Sequence, residues 1–286
     1  MSTLTATPET PETSETALAA PSRPAYRVTG RRVLSSEWAK LWSLRSTWIT
    51  LGLGLLFLVA FGVIAASHYK SNLDSGRHMD GDFASATVVS LSLFGTNFAQ
   101  LALGVLGVLV TAGEYSTGMI RSTLAAVPRR LPVLWSKAAV YGLVALVIAT
   151  VGAFVAFLVG SRIVSGTPAA MGFGHAGVVR SLLGAGLYLG LVGVIGTALG
   201  ALLRSVAGGI SVLVAALMLV PGLISLLPSS WQGDIGPYLP SHAGESLFAL
   251  THDSTTLSPG AGLLVFLAWT VLALAGAAYR LLRSDV

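Results

Sequence analysis

Six long stretches of this chain carry almost no Asp, Glu, Lys or Arg, and each is long enough to cross a lipid bilayer as a helix. They run approximately Trp48 to Ser67, Thr87 to Ala112, Ser136 to Gly160, Ser181 to Leu203, Val206 to Leu227 and Gly260 to Tyr279. A hydrocarbon layer about 30 Å thick needs about 20 residues of apolar helix. In lipid the backbone must satisfy its own hydrogen bonds, which a helix does within one segment. Composition agrees: 53% of the residues are hydrophobic and 10% charged, too few charges to clothe a water-soluble surface. The expected fold class is therefore all-α, a polytopic membrane protein with six transmembrane helices.

The formal charge of +5 would suggest a nucleic-acid surface if the basic residues lay together, but they are dispersed between apolar runs. Counted on alternate sides of the six spans, thirteen of the seventeen are Arg23, Arg27, Arg31, Arg32, Lys40, Arg45, Arg121, Arg129, Arg130, Lys137, Arg204, Arg280 and Arg283 on one side. The other four are Lys70, Arg77, Arg162 and Arg180, while the twelve acids divide evenly. A bias confined to Lys and Arg marks the cytoplasmic side. Both termini are thereby expected in the cytoplasm, with the protein multi-pass in the plasma membrane.

Residues 1–27 are rich in Thr, Pro, Glu, Ser and Ala and read as a disordered cytoplasmic tail, since they hold too little apolar area to offset chain entropy. The acids Glu9, Glu12 and Glu15 precede the first basic residue, the reverse of a secretory signal, so no cleavage is expected. The remainder, 28–286, forms one transmembrane domain. Its opening segment, 28–46, places Leu34, Trp38, Leu41 and Trp42 at helical spacing against Arg31, Arg32, Ser35, Lys40 and Arg45. That pattern predicts an N-terminal amphipathic helix lying in the membrane interface, or else the polar flank of the first span. Small residues four apart, such as Gly186 with Gly190 and Gly196 with Gly200, predict close helix packing.

Chemistry is conspicuous by what the pattern lacks. None of Lys40, Lys70 or Lys137 follows a glycine, so no phosphate-binding loop is present and no ATPase of this kind is expected in the chain. With no cysteine there is no thiol nucleophile, and His68, His78, His175, His242 and His252 all fall in expected loops. Neither Asp74, His78, Asp80 and Asp82 nor His242, Glu245, His252 and Asp253 has a diagnostic ligand spacing, and both groups read as solvated loop residues rather than metal sites. No enzymatic activity is expected. The middles of the spans hold no ionisable residue of the kind that ion-coupled carriers use. Asn97 and Gln100 are the most polar groups within a span, and they either join helices or line a pathway.

The inner loop, 113–135, is more informative. Ile120, Leu124 and Val127 share one helical face, Thr117 can cap its start and Pro128 ends it, which predicts a short amphipathic helix on the cytoplasmic side. Its apolar face, flanked by Arg121, Arg129 and Arg130, needs headgroups or a protein groove to cover it.

Ser36-Glu37-Trp38-Ala39-Lys40-Leu41 with Arg45-Ser46-Thr47-Trp48, then Gly113-Glu114-Tyr115-Ser116-Thr117-Gly118-Met119-Ile120-Arg121 through Pro128-Arg129-Arg130, resemble the membrane subunits of bacterial ABC-2 type exporters. Tyr238-Leu239-Pro240-Ser241-His242-Ala243-Gly244 resembles the outer segment of that family. The resemblance covers about Arg31 to the end. It implies a permease subunit that forms half of a translocation pathway, paired with a second copy or a related permease and with a separate ATP-binding-cassette subunit that carries the ATP and Mg. No cofactor is then expected in this chain. The resemblance makes the loop helix a coupling helix, and it implies ATPase-coupling roles for Glu37, Lys40, Arg45, Glu114, Tyr115, Thr117, Met119, Ile120, Arg121, Leu124, Arg129 and Arg130. The outer loop spans 228–259, and Pro221, Pro228, Pro237 and Pro240 divide the outer segment into short pieces, which the resemblance implies can fold back as small re-entrant helices. A stand-alone secondary carrier or a non-transporting membrane scaffold is the alternative, and nothing along the spans selects a substrate.

Overall fold

The computed structural model describes residues 29–77, 81–126, 130–251 and 256–283. Residues 1–28 lie outside it, with the expected tail, as do His78, Asp80, Val127, Pro128, Arg129, His252 and Asp253. Among the described residues there is no strand, and six helices are long and apolar enough to cross a membrane. The chain is an all-α, multi-pass membrane protein.

Ten helices organise the described chain. α1 is Gly30–Ser43, followed by the first span α2, Arg45–Asp74. The second span α3, Val88–Ser116, leads into the short α4, Met119–Ala126. Then come α5, Arg130–Ile163, and α6, Val178–Leu203. The fifth span α7 is Val206–Ile224, the short α8 and α9 are Ser229–Ile235 and Pro240–Glu245, and α10 is Pro259–Arg283. The six expected spans are all present, most of them longer than their uncharged cores. At 1.5 Å per residue the 34 residues of α5 reach about 50 Å, so its ends extend past the hydrocarbon. Two expected loop histidines are helical: His68 lies in α2 and His242 in α9.

α6 is the central helix, packed against α3, α5 and α10. It achieves this with glycine on two faces. A methyl at Gly196 would fall on the Gly104 carbonyl of α3, and one at Gly190 would lie 2.9 Å from Leu146 Cβ of α5. Backbones can approach this closely only where side chains are missing, which is how spans associate when lipid is as apolar as their side chains. The pairs anticipated on one helix thus serve different neighbours: Gly186 and Gly190 seat α5, while Gly196 and Gly200 seat α3. Buried residues make up 67% of the most apolar window of α6 but only 17% of that of α7, which sits at the periphery.

Pro221 lies near the end of α7. Proline has no N–H, and its ring crowds the carbonyl four residues back. The helix accommodates this by a π-helical turn over Ala215–Leu219. Beyond α7, Pro237 begins a single tight turn, Gly236–Tyr238, and Pro240 opens α9, so the outer segment is indeed cut into short pieces. Trp269 Nε1 donates to the Tyr238 carbonyl at 3.0 Å, and Arg180 donates to the carbonyls of Leu247 and Ala249 at 3.1 and 2.6 Å, fastening that segment to α10 and α6.

Candidate functional site

α1 and α4 meet at the end of the bundle that holds Arg283, and the side chains between them form an ion cluster. α1 is separated from α2 by Leu44, whose extended backbone (φ −89°, ψ 113°) makes the corner, so the interfacial helix ends at Ser43 and Arg45 already belongs to the span. Val33, Glu37 and Leu41, four residues apart, point into the bundle. Leu34, Trp38 and Trp42 stay exposed, with Trp38 stacked on Trp42 at 5.3 Å between centroids and Trp48 edge-on to Trp42 at 4.3 Å. The tryptophan stripe thus has the outward placement of interfacial anchors, whereas Leu41, expected on that stripe, is core.

Glu37 is 3% exposed and faces Lys137 of α5, itself 4% exposed. Lys137 Nζ donates to Glu37 Oε2 at 2.6 Å and to Glu114 Oε1, from the end of α3, at 2.9 Å. Lys40 Nζ donates to Glu37 Oε1 at 2.8 Å, to the same Glu114 Oε1 at 3.1 Å, and to Thr123 Oγ1 of α4 at 3.3 Å. Two ammonium groups therefore share two carboxylates, and four helices are tied at one point. Such burial is tolerable because the formal charges cancel and most of the hydrogen-bonding capacity is used. Burial alone would lower the Lys40 pKa, but the hydrogen bonds and charges of Glu37 and Glu114 outweigh it and hold the ammonium above the usual lysine range. Glu114 Oε2 is buried without a partner. A cavity of about 340 Å³ borders the cluster, with Leu41, Leu44, Leu109 and Val140 in its walls.

Around this cluster the expected coupling residues separate into two groups. Glu37, Lys40 and Glu114 are internal, and Ile120 is buried to anchor α4. Thr117, Met119 and Arg121 are exposed, as is Arg45 at the start of α2, while Leu124 is half-buried and Arg129 lies outside the described residues. Tyr115 receives the Arg204 guanidinium over its ring at 5.2 Å, and Arg130 Nη1 donates to the Leu281 carbonyl at 3.2 Å. Thr117 is not the N-cap expected of the loop helix. Its N–H and hydroxyl both donate to the Gly113 carbonyl, capping the C-terminus of α3, and Gly118 turns the chain with φ +74° before α4 starts at Met119. A Thr-Gly pair suits either end of a helix, and the left-handed turn, which glycine adopts without strain, settles which one.

Lys137 is not among the expected site residues, because the sequence places it only among the basic residues of the cytoplasmic side. The available signal was three lysines in 286 residues, one of them at the membrane boundary. In the interior of the bundle, Gln100 and Asn97 part company. Tyr188 of α6 donates its hydroxyl to Gln100 Oε1, so Gln100 joins helices. Asn97 is exposed on the outside of the bundle, with its amide on the Phe94 carbonyl of its own helix at 3.3 Å.

Comparison with models of known protein families gave no match, and comparison with curated proteins gave none either.

Proposed function

We propose that this chain is the permease subunit of an ATP-driven exporter of the ABC-2 type, working with a separate ATPase subunit and a second permease copy or a relative of it. The observation that carries the reading is the ion cluster joining α1, α3, α4 and α5 behind an exposed surface of Thr117, Met119 and Arg121. A helix bound only to headgroups needs no such anchorage. A helix that must pass a partner's movement to the spans needs a stiff connection, and buried charge pairs fixed at both ends provide one. The exposed Met119 and Arg121 then contact the ATPase, while Glu37, Lys40, Glu114 and Lys137 transmit its motion. ATP and Mg are held by that partner, and this chain itself is not an enzyme. One permease encloses half a pathway, which a second copy related by a two-fold axis completes. With α1 and α4 cytoplasmic, both termini are on the cytoplasmic side of the plasma membrane, in keeping with the bias of Lys and Arg.

The test is affinity purification of the full chain from its native membrane in mild detergent, with mass spectrometry of what accompanies it. A stoichiometric ATP-binding-cassette subunit, lost on Met119→Asp with Arg121→Glu while the permease remains monodisperse, is the expected result. Reproducible isolation of the folded permease without any ATPase would overturn it.

A further inference from the structure

The opposite end of the bundle, remote from Gly30 and Arg283, carries a larger, open cavity of about 780 Å³ between the end of α7, the short helices α8 and α9, and the start of the segment that leads to α10. Its size is in the range of cavities that hold small organic molecules. Pro221, Ile224, Pro237 and Leu257 supply apolar wall.

Four of the polar side chains of the wall have their hydrogen-bond donors already committed to backbone carbonyls, and the Ser229 hydroxyl lines it beside them. Ser225 Oγ donates to Gly222 O at 2.7 Å, and Ser246 Oγ to Ala243 O at 2.8 Å. Gln232 Nε2 donates to the carbonyls of Ser225 and Leu227 at 3.0 and 2.6 Å. His242 Nδ1 lies 2.9 Å from Gly236 O, and a carbonyl can only accept, so Nδ1 carries the proton and a neutral ring keeps Nε2 as an acceptor. Glu245, half-buried on α9, makes no hydrogen bond or ion pair with any described residue. What these five side chains still offer to the cavity is therefore acceptor oxygens, an acceptor nitrogen and one carboxylate.

We propose that this cavity is a binding site for an organic ammonium ion with an apolar body, its N–H groups satisfied by Glu245 and by the uncommitted acceptors of Gln232 and His242. None of these five side chains has a donor left over for an anion or a neutral acceptor. A primary ammonium brings three donors and a charge that the otherwise unpaired carboxylate matches, and charge-assisted hydrogen bonds are the stronger kind. Burial pushes the Glu245 carboxyl above the usual glutamate range, and a bound ammonium would act against that shift. The site stands on its lining and does not depend on the exporter reading.

The probe is radiolabelled phenethylamine, with N-acetylphenethylamine as its uncharged counterpart, measured by equilibrium dialysis against the full chain in lipid nanodiscs with empty discs subtracted. Saturable binding of the amine is expected, with at least tenfold weaker binding of the acetylated form and at least tenfold loss of amine affinity in Glu245→Gln. Ser225→Trp, which fills the cavity without touching its charge, should abolish binding as well and carries the test if Glu245→Gln does not fold. Absence of saturable amine binding, equal binding of the two probes, or unchanged affinity in a folded variant of either kind would overturn the proposal.

Discussion

Replacing Lys137 by Met keeps the length and apolar stem of the side chain and removes one charge from the ion cluster. In the intact cluster Lys137 holds Glu37 Oε2 at 2.6 Å and Glu114 Oε1 at 2.9 Å. Without it, Lys40 is the remaining ammonium in the cluster, and it reaches only Glu37 Oε1 and Glu114 Oε1. Glu37 Oε2 then joins Glu114 Oε2 as a buried carboxylate oxygen without a partner. Removing one member of a buried ion pair costs about 3–5 kcal/mol, mainly from the charge left behind. The Lys40 side chain, 31% exposed, is partly solvated already, so Lys40→Met should cost only about 1 kcal/mol. The assay is equilibrium unfolding in mixed micelles of rising SDS content, followed by tryptophan fluorescence. The decisive comparison is Lys137→Met combined with Glu114→Gln, which restores neutrality with the Glu37–Lys40 pair intact. The double variant should be more stable than Lys137→Met alone, with a coupling of at least about 1 kcal/mol. A cost for Lys137→Met below about 1 kcal/mol, or additivity within about 0.5 kcal/mol, would refute the cluster as described.

Further expectations concern the interior of the bundle and its outer end. Gly196→Ala places a methyl on the Gly104 carbonyl and should cost about 1–3 kcal/mol by forcing α3 and α6 apart, whereas Gly222→Ala, with open space around it, should change stability by less than 0.5 kcal/mol; the same unfolding assay separates them. Tyr188→Phe leaves Gln100 Oε1 without its donor and should cost about 1 kcal/mol, while Asn97→Leu, on an exposed face, should be neutral to stability. Glu245 has its folded-state pKa raised by burial, so the folded state binds its proton more readily than the unfolded chain does. Stability is therefore greatest below the ordinary glutamate value of 4.5 and declines as pH rises through the elevated folded value; Glu245→Gln should flatten that part of the pH profile of melting and be the more stable protein at pH 7. A parallel decline in wild type and variant would assign the pH dependence to other groups.

What could be read in the sequence depended on how local its cause was. The number and approximate extent of the spans were legible because lipid sets a length of uncharged helix, a requirement each segment meets by itself. The short outer helices were legible from Pro237 and Pro240, since proline acts on its own turn, and the close packing of α6 from its repeated glycines. Several residues around the cluster were legible as a group, but not the division of labour among them. Glu37 and Lys137 are 100 positions apart, and Glu114 and Lys40 are 74 apart. No periodicity connects residues at such distances.

The sequence by itself determined that this is an all-α membrane protein of six spans with an amphipathic helix before the first and another between the second and third. Tertiary structure alone decided which side chains are consumed inside and which remain exposed: Glu37 and Glu114 face Lys137, whereas Arg121 and Met119 face outward. It also decided that Gln100 joins helices while Asn97, three residues earlier, looks away from them. The physical reason is that hydropathy is a property of each segment, while the desolvation and pairing of a charge depend on whatever neighbouring helices bring to it once they have packed.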